Sequence, residues 1–96
     1  AAERQEHAIR EIADRYLAHA GLALYGSRAR GDPASRSDFD LAIMPREGYQ
    51  PSEAVAFAEA IERSPDIIYP VDLVDIRDAN PELNKKIQTE GIVWKE

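Results

Sequence analysis

Apolar residues recur at three- and four-residue steps through the first part of the chain. Ile9, Ile12, Ala13, Tyr16, Leu17 and Ala20 fall on one face, the period of an amphipathic helix packed on a core. Gly21 is the expected helix end. Leu22-Ala23-Leu24-Tyr25 then reads as a short apolar strand closed by Gly26. Residues 28–36, which contain Gly31 and Pro33, read as a loop or short helix. Residues 38–44 form a second strand that Pro45 stops. Pro51-Ser52 opens a second helix with Ser52 as its N-cap. Ala54, Phe57, Ala58 and Ile61 form its inner face, and Ser64-Pro65 ends it. Residues 71–76 are a third strand. Asn80 and Pro81 supply an N-cap and a first-turn proline for a third helix. Leu83 and Ile87 face inward, and Gly91 is the expected C-terminal cap. Ile92-Val93-Trp94 closes the chain as a last short strand. The order α-β-(short α)-β-α-β-α-β predicts an α/β fold: a mixed sheet of about four strands with helices packed against it.

Length and composition narrow the partners. The 96 residues are expected to form one domain, 1–96. A net charge of −6 argues against a protein that coats nucleic acid, which is normally basic, so no direct nucleic-acid binding is expected. Without cysteine, disulfides, zinc-thiolate sites and cysteine nucleophiles are excluded. The longest purely apolar run, residues 54–58, is far short of the roughly 18 residues a membrane span needs. No signal-peptide pattern opens the chain. A cytoplasmic location without a membrane anchor is the expectation.

The candidate chemistry sits between the first two strands. Gly26-Ser27-Arg28-Ala29-Arg30-Gly31 is followed by Ser37-Asp38-Phe39-Asp40-Leu41. Alternate residues of a strand share a face, about 6.6–6.8 Å apart over two steps. Asp38 and Asp40 therefore project together, while Phe39 and Leu41 enter the opposite layer. Carboxylates at that spacing can converge on two Mg²⁺ ions, which lie about 3.5–4 Å apart in phosphoryl-transfer sites. Adjacent aspartates could not. The third strand offers two further carboxylates on opposite faces, Asp72 and Asp75. Asp72, set between Val71 and Leu73, is favoured as a metal ligand that also takes the proton from an attacking hydroxyl.

The glycine of the Gly-Ser turn admits a close ligand approach. Ser27 offers a hydroxyl and an N–H to phosphate oxygens, and a helical turn after it adds further N–H donors. Of Arg28 and Arg30, one is expected to reach a triphosphate and the other to pair with an acidic neighbour. The Gly-Lys-Ser/Thr of a Walker loop is absent, and Gly26 and Gly31 do not match the Rossmann spacing.

Taken together, Gly26-Ser27-Arg28-Ala29-Arg30-Gly31, Ser37-Asp38-Phe39-Asp40-Leu41 and Val71-Asp72-Leu73-Val74 resemble the DNA-polymerase-β-like nucleotidyltransferases. More closely, they resemble the minimal nucleotidyltransferase (MNT) group, from the first helix to the C-terminus. The resemblance implies transfer of NMP, with ATP as the expected donor, to a hydroxyl under two Mg²⁺ ions, pyrophosphate leaving. It implies that Asp38, Asp40 and Asp72 are the metal-binding and catalytic set. The implied nucleotide-binding set is Gly26, Ser27, Arg30 and Ser37. It also implies a HEPN-type toxin as partner in a hetero-oligomer, with this chain the antitoxin that adenylylates it. Larger relatives carry a domain that grips the acceptor; none is expected in 96 residues, so the acceptor is expected in trans.

Two other functions compete. One is a non-catalytic module that neutralises a partner toxin by contact alone. The other is nucleotidylation of a small molecule such as an antibiotic. His7 and His19 are expected as surface residues of the first helix, and Lys85-Lys86 as residues serving the helix dipole and solubility. Tyr49, Tyr69 and Trp94 are candidates for a partner surface, Trp94 foremost. Tyr25 or Tyr49 could stack on a nucleobase.

Overall fold

The computed structural model describes residues 2–31 and 38–96. Helix α1 (Ala2–Tyr16) leads into strand β1 (Ala20–Tyr25), the single turn α2 (Ser27–Arg30) and strand β2 (Phe39–Pro45). Helix α3 (Pro51–Arg63) crosses to strand β3 (Val71–Asp75), which ends in a 3₁₀ turn, Ile76–Asp78. Helix α4 (Pro81–Glu90) and strand β4 (Ile92–Lys95) complete the chain. The expected element order stands.

The strands form one mixed sheet in the order β3-β2-β1-β4. β1 is antiparallel to both β2 and β4, and β2 is parallel to β3. Central β1 is buried along its whole length because helices cover both faces of the sheet. That burial explains why its sequence is a continuous apolar run rather than an alternation. On one face Leu22, Leu24, Phe39, Leu41 and Ile43 join Ile9, Ala13 and Leu17 from the N-terminal segment and Phe57 and Ile61 of α3. On the other face Tyr25 and Ala42 meet Ile87 of α4.

Several expectations shift. α1 ends at Tyr16, so Ala20 and Gly21 belong to β1 rather than to the helix. Gly21 is needed inside the strand: a Cβ there would lie 2.8 Å from the Lys95 carbonyl oxygen. Ser52 does not cap α3. The N-cap is Gln50, Pro51 occupies the first turn, and Glu53 accepts the Gln50 N–H at 3.3 Å. Asn80 does cap α4, accepting the Leu83 N–H at 2.7 Å. Gly91 follows α4 in an extended conformation, φ −65°.

The placement of His19 and the burial of Trp94 also depart from expectation, whereas His7 is an exposed residue of α1 as expected. His19 lies beyond α1, in the turn before β1. Its N–H and its Nδ1 each meet a Glu53 carboxylate oxygen at 2.9 Å, tying the start of β1 to α3. Burial acts to raise the Glu53 pKa, but the His19 and Gln50 hydrogen bonds outweigh it and hold the carboxyl below the ordinary glutamate range. His7 is on α1 and pairs with Glu11 at 2.8 Å. Trp94 is not a surface residue. It is 8% exposed, packs 6.3 Å from the Phe39 ring, and carries Arg10 over its own ring. The exposed apolar residues of β4 are Ile92 and Val93.

One polar side chain enters the core. Gln5 is fully buried on α1. Its Nε2 donates to the Tyr69 carbonyl at 2.7 Å, and its Oε1 accepts the N–H groups of Ile68 and Tyr69, each at 2.8 Å. A buried amide is stable only with such partners. Here it fixes the segment that delivers the chain into β3.

Candidate active site

β1 ends at the turn that positions the site. Gly26 has φ +80° and ψ −159°, a region essentially closed to other residues. A Cβ at Gly26 would also collide with the Asp40 carboxylate. The glycine is therefore required twice, by its backbone angles and by the aspartate lying against it. The Gly26 carbonyl accepts the N–H groups of Ala29 and Arg30, both at 3.1 Å. Gly31, at φ +81°, closes α2 with its N–H on the Ser27 carbonyl.

Strand register assembles the carboxylates. Tyr25 lies opposite Asp40 across β1 and β2, and Asp40 lies opposite Asp72 across β2 and β3. The three side chains thus share one cross-strand row on one face. Asp38 stands exposed just before β2, while Phe39 between the two aspartates is buried in the opposite layer, as alternation requires. Asp75 pairs with Ile43 on the other face. Hydrogen bonds from Arg77, the closest at 2.7 Å, hold its carboxyl below the ordinary range. Asp72, not Asp75, joins Asp40. The deciding feature is register, since Asp72 itself is exposed and no cost of burial singles it out.

Burial and the neighbouring charges of Asp72 and Asp38 raise the Asp40 pKa above the usual aspartate value, opposed by Lys86 and Arg30. Burial, Asp40 and Asp72 likewise push the Tyr25 phenol upward. These are the signs of a concentrated negative field. The donor set is all carboxylate oxygen, which suits a hard divalent cation such as Mg²⁺, and a cation would offset the repulsion that Asp40 experiences. Among the described residues, no three His, Asp or Glu side chains already converge on one point. The aspartates form a row across the sheet edge rather than a closed cage.

The arginines are held from the side. Arg28 lies 4.2 Å over the Phe39 ring and 4.7 Å over the Tyr69 ring. Arg30 pairs with Glu90 of α4 at 3.1 Å. Ser37 lies outside the described residues. Tyr49 lines a cavity of about 310 Å³ with Leu73, Asp75 and Arg77, on the face opposite Asp40. Sequence reading missed Lys86 as a neighbour of Asp40. Only the docking of α4 through Ile87 brings it near, and no local spacing signals that.

The sequence profile of the family described as polymerase beta, nucleotidyltransferase matches residues 7–96. The chain belongs to that family. A search of curated proteins returned no match. Among solved structures, one described as a minimal nucleotidyltransferase is 26% identical, with a TM-score of 0.71 over 95% of this chain and 90% of that one. A toxin–antitoxin structure with AMP-PNP is 24% identical, TM-score 0.71, over 93% of this chain and 71% of the other. An MNT antitoxin in complex with a tri-AMPylated HEPN toxin of Shewanella oneidensis is 21% identical, TM-score 0.62, over 98% and 71%. The four-stranded mixed sheet with its helices is the small nucleotidyltransferase fold.

Proposed function

We propose that this chain is a Mg²⁺-dependent nucleotidyltransferase that moves AMP from ATP to a hydroxyl of a partner protein, acting as the antitoxin of a HEPN-type toxin. The observation that carries the reading is the Asp40–Asp72 register pair with Gly26 closed against Asp40. That contact joins the Gly-Ser turn to the carboxylate row. Two structural neighbours come from toxin–antitoxin complexes, one with an AMPylated toxin, and they support the choice of partner.

Asp38, Asp40 and Asp72 would hold the metal ions. When bound, those ions stabilise the charge that develops on the attacking and leaving oxygens. Gly26 and Ser27 would receive the phosphates, with Arg30 and Ser37 beside them. Asp72, exposed at the end of the row, takes the acceptor proton as its oxygen attacks the α-phosphorus. The bond to the β-phosphate oxygen breaks, and pyrophosphate leaves. Burial and the like charges around Asp40 oppose its ionisation, and a bound cation would relieve that opposition.

The test is to incubate the protein with a HEPN-type partner, ATP and Mg²⁺ and to measure the partner's intact mass. Addition of AMP units is expected with wild type. Asp40→Asn should lower the rate at least about 100-fold, since a metal ligand supplies several kcal/mol. An Asp40→Asn rate equal to wild type would remove the site assignment. A second reading, neutralisation by contact alone, draws on the exposed Ile92 and Val93 of edge strand β4. It predicts that Asp40→Asn still protects cells from the toxin. Among the described residues no helix is long and apolar enough to cross a membrane, and we place the reaction in the cytoplasm.

A further inference from the structure

α4 packs on the face of the sheet that carries the carboxylate row. Ile87 is buried against Tyr25 and Ala42, and the helix is closed by the Gly91 N–H on the Ile87 carbonyl at 2.8 Å. With Ile87 fixed, the directions of its neighbours are fixed. Glu90 follows Lys86 by four residues, the spacing that places two side chains on one side of a helix. Glu90 pairs with Arg30 at 3.1 Å, so this side of α4 faces the segment that follows the Gly-Ser turn. Lys86 also lies near enough to Asp40 for its charge to act there. With Arg30, it is one of the two cations acting on that carboxylate against Asp72 and Asp38. Both relations put Lys86 on the side of α4 that borders the turn and the aspartates.

We infer that Lys86 is a polyphosphate-binding residue, whose ammonium receives the β- and γ-phosphates of a nucleoside triphosphate at this site. The inference rests on the nucleotidyltransferase reading and extends it to α4. A triphosphate approaching three carboxylates on a chain of net charge −6 needs a counter-charge that the metal ions alone do not place at its far end. Arg28 is stacked on Phe39 and Tyr69, and Arg30, beside the same phosphates, shares its charge with Glu90. Lys86 is exposed and carries a compact charge on a flexible stem, a form suited to phosphate oxygens.

The experiment is calorimetric titration of AMP-PNP with Mg²⁺ into wild type, Lys86→Gln, Lys86→Arg and Lys85→Gln, repeated with AMP. Lys86→Gln should weaken AMP-PNP binding about tenfold, Lys86→Arg by less than about threefold, and Lys85→Gln not at all. AMP affinity should be the same in all four proteins, because AMP lacks the phosphates that Lys86 would hold. If wild type binds AMP-PNP and Lys86→Gln binds it equally well, the inference is overturned and the nucleotide site stands. Equal loss of AMP and AMP-PNP in Lys86→Gln would also overturn it, as a disturbance of α4. If wild type binds no AMP-PNP, the nucleotide reading fails and takes the inference with it.

Discussion

Asp40 carries the conflict on which the site depends. It is half-buried, and burial and two like charges raise its pKa. A carboxyl whose folded pKa exceeds its unfolded value costs stability once pH rises through the folded value, and that cost disappears below the unfolded value. In metal-free solution at neutral pH, Asp40→Asn should therefore melt at or above the wild-type temperature while losing transfer activity. The advantage should vanish as pH falls below the ordinary aspartate range, and pH-dependent thermal melts check both limbs. Gly26→Ala should behave in the opposite way. Its φ of +80° with ψ −159° and its collision with Asp40 predict a loss of about 1–3 kcal/mol or more in stability, measured by urea unfolding, together with loss of transfer. Both residues stood out in the sequence because the Gly-Ser turn, the Asp-x-Asp spacing and an aspartate on a later strand occur together; either motif alone is common. The Tyr25 and Lys86 contributions were not legible, because each requires knowing which strand and helix lie beside Asp40.

At the scale of elements, the site is held from below by a chain of contacts that begins on α1. Gln5 clamps Ile68 and Tyr69. The Tyr69 ring then packs 6.3 Å from Phe39 and lies under Arg28, whose own helix α2 follows the Gly-Ser turn. Gln5→Leu leaves two backbone N–H groups and a carbonyl without partners. It should cost about 2–3 kcal/mol in chemical denaturation and weaken nucleotide binding by loosening α2. Retention of wild-type stability by Gln5→Leu would show that the clamp is dispensable. A polar residue at this point of an apolar helical face gives no warning of its role, which depends on a loop more than sixty positions away. Helix periodicity, the Asn80-Pro81 start and the buried run of β1 were readable because each is local. The ends of α1 and the cap of α3 were not, because Ala20, Gly21 and Ser52 suit either side of a boundary. Trp94 was misjudged for a related reason: nearness to the chain end says nothing of burial. Its ring is covered because β4 pairs with β1.

The whole molecule reads as a sheet with unequal duties on its two faces. One face, under α1 and α3, is a continuous apolar core. The other carries a small core under α4, and beside it the open row of aspartates at the ends of β2 and β3. The Gly-Ser turn, the carboxylate row and α4 meet at that edge, and under the proposed function a nucleotide-bound metal would sit on Asp40 and its row. The most direct measurement is anomalous diffraction from crystals grown with AMP-PNP and Mn²⁺ in place of Mg²⁺. Manganese is expected on Asp40 together with Asp38 or Asp72, with the phosphates running toward Gly26 and Ser27. Manganese on the nucleotide but away from Asp40, or nucleotide bound on the opposite face beside Tyr49, would contradict it.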